Sequence, residues 1–382
     1  MIPDVTIAVH VVVRPEGHVH GPGDTISEFL VRQKIPHLLI MHPLDGSAPS
    51  MARTVDVDGR ATERTIGGAI RGPLPWRALV ECLRTVRAVL ALRQPLAAYV
   101  GIDPVNAWAG IWLRRLGRAR QLVFYSADYA VQRYANRALD ALYHFIDRLS
   151  AQQADVIWNV SGRIIDVRQH HGISPDKLRF VPNAPSLRVI PDVPAAPHHR
   201  HEIISMATTT DALENRLLIE AAAVLATQIP TLRIRILGAA ASNAFRDVVE
   251  AHRMGDRVEV TGLQPQPEVL KLLSHAAVGV ALYTSTQPWT AFGDAKKVRE
   301  YLACGLPVIM TGVPATADEV REAGAGFVIA LQRDALVDAL RQLLLDDALY
   351  ARCRTAALGL ALSRDSDRVL RREFLELGVL RE

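Results

Sequence analysis

The chain has 382 residues, 49% of them hydrophobic and 22% charged, a length and balance that suit two globular domains with ample cores. That composition excludes a disordered or fibrous chain. The net charge of +4 favours anionic partners such as phosphates or an acidic lipid surface, and it gives no real support to nucleic-acid binding.

From the N-terminus, "MIPDVTIAVHVVVRPEG" has no basic leader and too short an apolar run for a signal peptide or membrane span, so it reads as a buried first strand. Apolar runs of strand length then alternate with segments of helical period, the pattern of parallel α/β architecture. Strands are predicted at 5–13, 37–42, 96–101, 121–126, 155–160 and 178–182, with helices at 24–33, 77–93 and 105–116 among those between them. A Pro- and His-rich stretch at 185–201 has the composition of a linker. Beyond it the alternation restarts, with strands at 202–207, 232–238, 257–262, 278–283 and 307–312, a helix at 214–228, and helices filling the tail from residue 334. The expectation is two doubly wound domains, 1–184 and 202–365, facing across a cleft, with 366–382 packing back on the first.

The three cysteines, Cys82, Cys304 and Cys353, are odd in number and widely spaced, which suggests a reducing, cytoplasmic setting and neither disulfides nor a metal centre. The His cluster "HHRHE" lacks the spacing of a zincin helix, and the sequon Asn159-Val160-Ser161 is treated as accidental.

The most informative stretch is "GDAKKVREYLACGLPVIMTG", residues 293–312. Lys297 and Glu300 lie one turn apart on a short helix that Gly305 and Pro307 terminate. Two readings stand: a solvated Lys–Glu pair, or a helix N-terminus that receives a diphosphate while the carboxylate accepts from a ribose diol. The run Lys297, Glu300, Tyr301, Ala303, Gly305, Pro307, Val308 resembles the nucleotide-binding helix of the glycosyltransferase group 1 (GT4-like) family. The resemblance extends over most of 202–330 and implies the two-domain GT-B fold, with donor binding in the second domain and acceptor binding in the first.

On that resemblance the donor site comprises Glu300 on the ribose and Lys297, aided by Lys296, on the diphosphate. Gly262 and Leu263 border the base, Asp294 or Trp289 contacts the sugar, and Arg216 is the basic residue of the domain's first helix. The family's second Glu, eight positions before the first, is Phe292 here, which leaves the stereochemistry open. Helix dipole and basic residues replace a metal in the family, so metal independence is expected. In the first domain Asp128 follows a buried strand: it is either the base for an inverting transfer, as in similar inverting enzymes, or the cap of the next helix. Gly21 and Gly23 allow a close backbone approach near diphosphate or acceptor, His18 and His20 are loop polar groups, and Asp24 caps the following helix. The helix carrying Arg77, Arg84, Arg87 and Arg93 is an ordinary basic face or a site of docking on anionic lipid, as a lipid-linked acceptor would require. The expected function is transfer from a nucleotide sugar to a glycan or lipid-linked acceptor hydroxyl, in a cytoplasmic, peripherally membrane-associated protein. The rivals are an inactive scaffold of the same fold and a sugar-nucleotide epimerase.

Overall fold

The computed structural model describes residues 3–14, 17–210 and 212–381, and the chain divides into two compact units: 3–183 with 366–381, and 184–365.

The first unit opens with the buried strand β1 (Val5–Val11) and a small hairpin, β2 (Val13–Arg14) with β3 (Gly17–His18). There follow α1 (Pro22–Arg32), β4 (His37–Pro43), β5 (Ser50–Val55), β6 (Ala61–Gly67), α2 (Leu74–Leu90), β7 (Leu96–Ile102), α3 (Pro104–Arg115), β8 (Ala119–Ser126), α4 (Arg137–Gln153), β9 (Val156–Asn159), α5 (Gly162–His170) and β10 (Leu178–Phe180). Its eight-stranded sheet runs β10-β9-β8-β7-β1-β4-β5-β6. All neighbours are parallel except the last two pairs, where β5 and β6 form an antiparallel hairpin against β4. No strand is predicted there from sequence, because the polar edge strand "ATERTIG" is largely exposed and lacks an apolar run.

The second unit contains β11 (Glu202–Met206), α6 (Leu213–Leu225), β12 (Arg233–Leu237), α7 (Asn243–Ala251), β13 (Val258–Val260), α8 (Gln266–His275), β14 (Val278–Ala281), α9 (Lys296–Ala303), β15 (Val308–Thr311), α10 (Thr316–Ala323), β16 (Gly326–Ile329), α11 (Arg333–Leu345) and α12 (Asp347–Ser363). Its strands are ordered β13-β12-β11-β14-β15-β16, all parallel. That order reverses between β11 and β14, so the open crevice lies outside their carboxyl ends. The last helix, α13 (Ser366–Glu376), belongs to the first unit: Phe374 stacks on Phe29 at 5.8 Å, and Asp367 accepts from Arg32 at 2.6 Å.

Residues 185–201 are a fixed part of the second unit, where a linker is expected from their prolines. Leu187 and Ile190 pack on its core, Arg354 of α12 donates to the Pro194 carbonyl at 2.5 Å, and the Leu187 amide donates to Asp365 at 2.9 Å. Proline removes backbone donors without preventing packing.

Candidate active site

Helix α9 is keyed to the end of β11 by its own side chains. The Tyr301 hydroxyl accepts from the Met206 amide at 2.7 Å, and the Lys297 ammonium donates to the Met206 carbonyl at 3.1 Å. Gly279 on β14 permits this packing, since a Cβ there would come within 2.5 Å of the Tyr301 ring. The helix ends as expected, with Gly305 left-handed at φ 74°.

At the crevice a cavity of about 220 Å³ opens between the loop after β11, the first turn of α6 and Lys297. Thr208, Thr209, Glu214 and Tyr283 line it. Lys297 sits 4.6 Å from the Tyr283 ring centroid. Burial pulls its pKa down from 10.5 to about 8, against a smaller upward pull from Glu214 across the cavity. A cation kept this short of solvent gains most from an anion that enters the cavity. Glu300, 5% exposed, accepts from Gln266 at the start of α8 at 3.2 Å. Lys297 and Glu300 therefore have different partners.

The remaining sequence candidates in this unit are dispersed. Lys296 is the first residue of α9, half-buried. Gly262 is left-handed at φ 66° and accepts from the Gly238 amide at 2.9 Å, with Leu263 exposed beside it. Arg216 is exposed on α6 and does not line the cavity. Asp294 is placed differently from a sugar contact: its side chain is 1% exposed and accepts from Arg299 at 2.9 Å and from the Thr316 hydroxyl at 2.6 Å. Thr316 in turn accepts from the Ala295 amide at 2.8 Å. Asp294 is thus part of the buried scaffold that fixes the start of α9.

In the first unit the sheet order reverses between β1 and β7, and a cavity of about 290 Å³ lies at their carboxyl ends. Asp128 lines it and accepts from Arg133 at 2.9 Å. It does not cap α4. Asn136 does, accepting from the Ala138 and Leu139 amides, because eight residues of loop separate Asp128 from the helix. Asp24 is not the N-cap of α1 either. It stands in the first turn and accepts from the amide of the true N-cap, Gly21, at 2.9 Å and from His18 at 2.7 Å. Gly23 allows α1 to sit on β1, since a Cβ would meet Val9 at 2.9 Å, whereas a Cβ on Gly21 would meet nothing. Neither glycine lines the cavity.

Beside Asp128 the structure assembles a cluster that sequence reasoning misses. His10, at the end of β1, contacts Asp103 Oδ2 at 2.5 Å through Nδ1 and Glu81 Oε2 at 2.9 Å through Nε2. Burial alone would favour the neutral ring, but the charge and hydrogen bonds of Asp103 and Glu81 win and raise its pKa to about 10. His10 is therefore an imidazolium at neutral pH. Asp103 caps α3 from a backbone at φ 76°, ψ 165°, a region nearly confined to glycine that costs on the order of 1–3 kcal/mol. The available signals were a lone His in an apolar strand, an Asp-Pro after a strand and a single Glu within a basic helix.

Among the described residues, no group of three or more His, Cys, Asp or Glu side chains is placed to hold a metal ion, and no helix is long and apolar enough to cross a membrane.

Residues 190–358 match the family Glycosyl transferases group 1. A putative colanic acid biosynthesis glycosyltransferase, WcaL, from Salmonella typhimurium is 30% identical over 150 residues, 38% of this chain and 36% of that protein. The match therefore spans about a third of that relative's length. Among solved structures, Anabaena Alr3699/HepE in complex with UDP aligns at TM-score 0.69 and 11% identity over 99% of this chain and 100% of that one. Sucrose-phosphate synthase from Thermosynechococcus elongatus aligns at 0.68 and 16% identity over 98% of each. At such identities the likeness concerns the fold alone, which is GT-B: two Rossmann-like units of mostly parallel strands.

Proposed function

We propose that the chain is a glycosyltransferase that moves a sugar from a nucleotide-diphospho sugar to an acceptor hydroxyl. The observation that carries this reading is Lys297: a desolvated ammonium at the switch point of a group 1 unit, where the phosphates of a nucleotide would bind. In this reading the bond between the anomeric carbon and the diphosphate oxygen breaks, and Lys297, Lys296 and the amides that begin α9 stabilise the charge left on the diphosphate. Glu300 accepts from the ribose hydroxyls, Gly262 and Leu263 border the base, and no metal is required. UDP is the first nucleotide to test, because the HepE structure holds it. The name of the WcaL relative suggests polysaccharide biosynthesis as the setting, and we place it in the cytoplasm at the inner face of a membrane as part of the same proposal.

Asp128 is proposed to take the proton of the acceptor hydroxyl as the new glycosidic bond forms, which implies inversion at the anomeric carbon. Asp128→Asn should lower the transfer rate by about 10²–10⁴-fold and leave nucleotide binding unchanged. Full transfer by the variant would remove Asp128 from the mechanism. The overall reading is tested by incubating the protein with UDP-, GDP-, ADP- and dTDP-sugars and following both nucleotide release and sugar products. A glycoside together with free nucleoside diphosphate is the expected outcome. A rearranged sugar nucleotide would indicate an epimerase, and unaltered donors with every acceptor tried would contradict catalysis.

A further inference from the structure

The cavity of the second unit has a cation on one wall and a carboxylate on the other. Among the described residues that line it, only Lys297 and Glu214 are charged. Glu214 stands in the first turn of α6, half-buried, and its charge acts on Lys297 across the cavity. The two do not close into an ion pair. Lys297 donates to the Met206 carbonyl at 3.1 Å, and the Glu214 side chain has no hydrogen bond or ion pair among the described residues.

The wall that carries Glu214 is fixed. Asn215, 4% exposed, donates to the Thr209 carbonyl at 2.7 Å. The buried Thr210 hydroxyl donates to the Ala240 carbonyl at 3.1 Å and accepts from the Ser242 amide at 3.1 Å. The loop after β11 is thus tied both to α6 and to the start of α7. Because Lys297 and Glu214 cancel, a polyanion cannot fill this cavity from wall to wall. A ligand whose phosphate lies on Lys297 brings the group carried by that phosphate into the field of Glu214. There a hydroxyl or an ammonium gains a charged acceptor, whereas a second anion meets a like charge in an enclosed site, at a cost of about tenfold or more in affinity. A carboxylate in a first turn also suits the helix macrodipole, but that role carries no ligand preference.

We infer that Glu214 determines which sugar the donor carries: it accepts from sugar hydroxyls, favours a sugar with a free amine and excludes uronic acids. The inference rests on the nucleotide-sugar reading for its purpose, since the phosphate on Lys297 is taken to be the one that bears the sugar. The preference itself follows from the two charges and the fixed wall.

The test titrates the full chain, by phosphorus NMR at about pH 7 where Lys297 is an ammonium, with the 1-phosphates of α-D-glucosamine, α-D-glucose and α-D-glucuronate and with inorganic phosphate. None of these probes carries a base, so the result is independent of the nucleotide. Affinity should fall in the order glucosamine, glucose, glucuronate, with at least about tenfold between the first and the last. Glu214→Gln keeps the shape and deletes the charge. It should bring the three sugar phosphates to within about threefold of one another and bind inorganic phosphate no more weakly than the wild type does. Lys297→Met should weaken all four probes, which places them in this cavity. Equal binding of the glucose and glucuronate phosphates, a charge series that survives Glu214→Gln, or no binding that depends on Lys297 would overturn the inference. UDP, GDP, ADP and dTDP titrated in parallel report on the nucleotide. A chain that binds one of them without the charge series loses only this inference, and a charge series without nucleotide binding counts against the transferase reading alone.

Discussion

Lys297→Met lowers the rate of sugar transfer by about 10²–10³-fold, the loss typical when one preorganised group facing a developing oxyanion is removed. Methionine keeps the length of the stem against Tyr283 and deletes only the charge. The effect should therefore fall on turnover and nucleotide affinity, with folding intact. Its pH dependence gives a second signature. The ammonium form predominates below about pH 8, so nucleoside diphosphate affinity in the wild type should weaken as pH rises through 8, with proton uptake on binding. The variant should lack this component. The sign for the unliganded protein is opposite: with a folded pKa depressed below the ordinary 10.5, the unfolded chain binds more protons between about pH 8 and 10.5, and stability rises across that window. An unchanged turnover in Lys297→Met would move the diphosphate away from this cavity.

Arg299→Met should destabilise the second unit by about 3–5 kcal/mol, because it takes the guanidinium from the buried carboxylate of Asp294 and removes one of the two arginines from which Glu319 accepts. Arg299 is 3% exposed and donates to Asp294 at 2.9 Å and to Glu319, which also accepts from Arg364 at 2.7 Å. Through Asp294 and Thr316 this network sets the Ala295 amide and hence the start of α9. Hydrogen exchange on the full chain separates the units: protection should drop in β14, β15 and α9 and remain in β1, β7 and β8. A uniform loss, or none, would show that the network does not hold α9.

Most of the parallel strands were legible because they are apolar runs buried on both faces, as in Ile203–Ile204 and Leu122–Phe124, whereas the half-buried edge strand β16 is not among the predicted strands. The short α9 was legible through its punctuation, Gly305 and Pro307, and through the Lys297–Glu300 spacing. Asp294 reads as a ligand from sequence because it stands just before a helix that reads as phosphate-binding, whereas its buried partners are invisible there. Its partner Arg299 lies on the buried side of the same helix, and Glu319 is 20 residues further on. His10, Glu81 and Asp103 could not be grouped from sequence, since contacts across 71 and 93 residues exist only once β1, α2 and β7 are placed side by side. The Pro-rich stretch at 185–201 shows the same limit: composition marks where regular structure stops, whereas packing on Arg354 decides whether the chain is free.

In the reading proposed above, the second unit holds a nucleoside diphosphate on α9. It is tested most directly by calorimetric titration with UDP, GDP, ADP and dTDP, repeated on Glu300→Ala. One nucleotide should bind selectively, and the variant should lose about 1–3 kcal/mol of that affinity, the worth of a hydrogen-bonded charged partner. No binding by any of the four, or binding that Glu300→Ala leaves untouched, would contradict it.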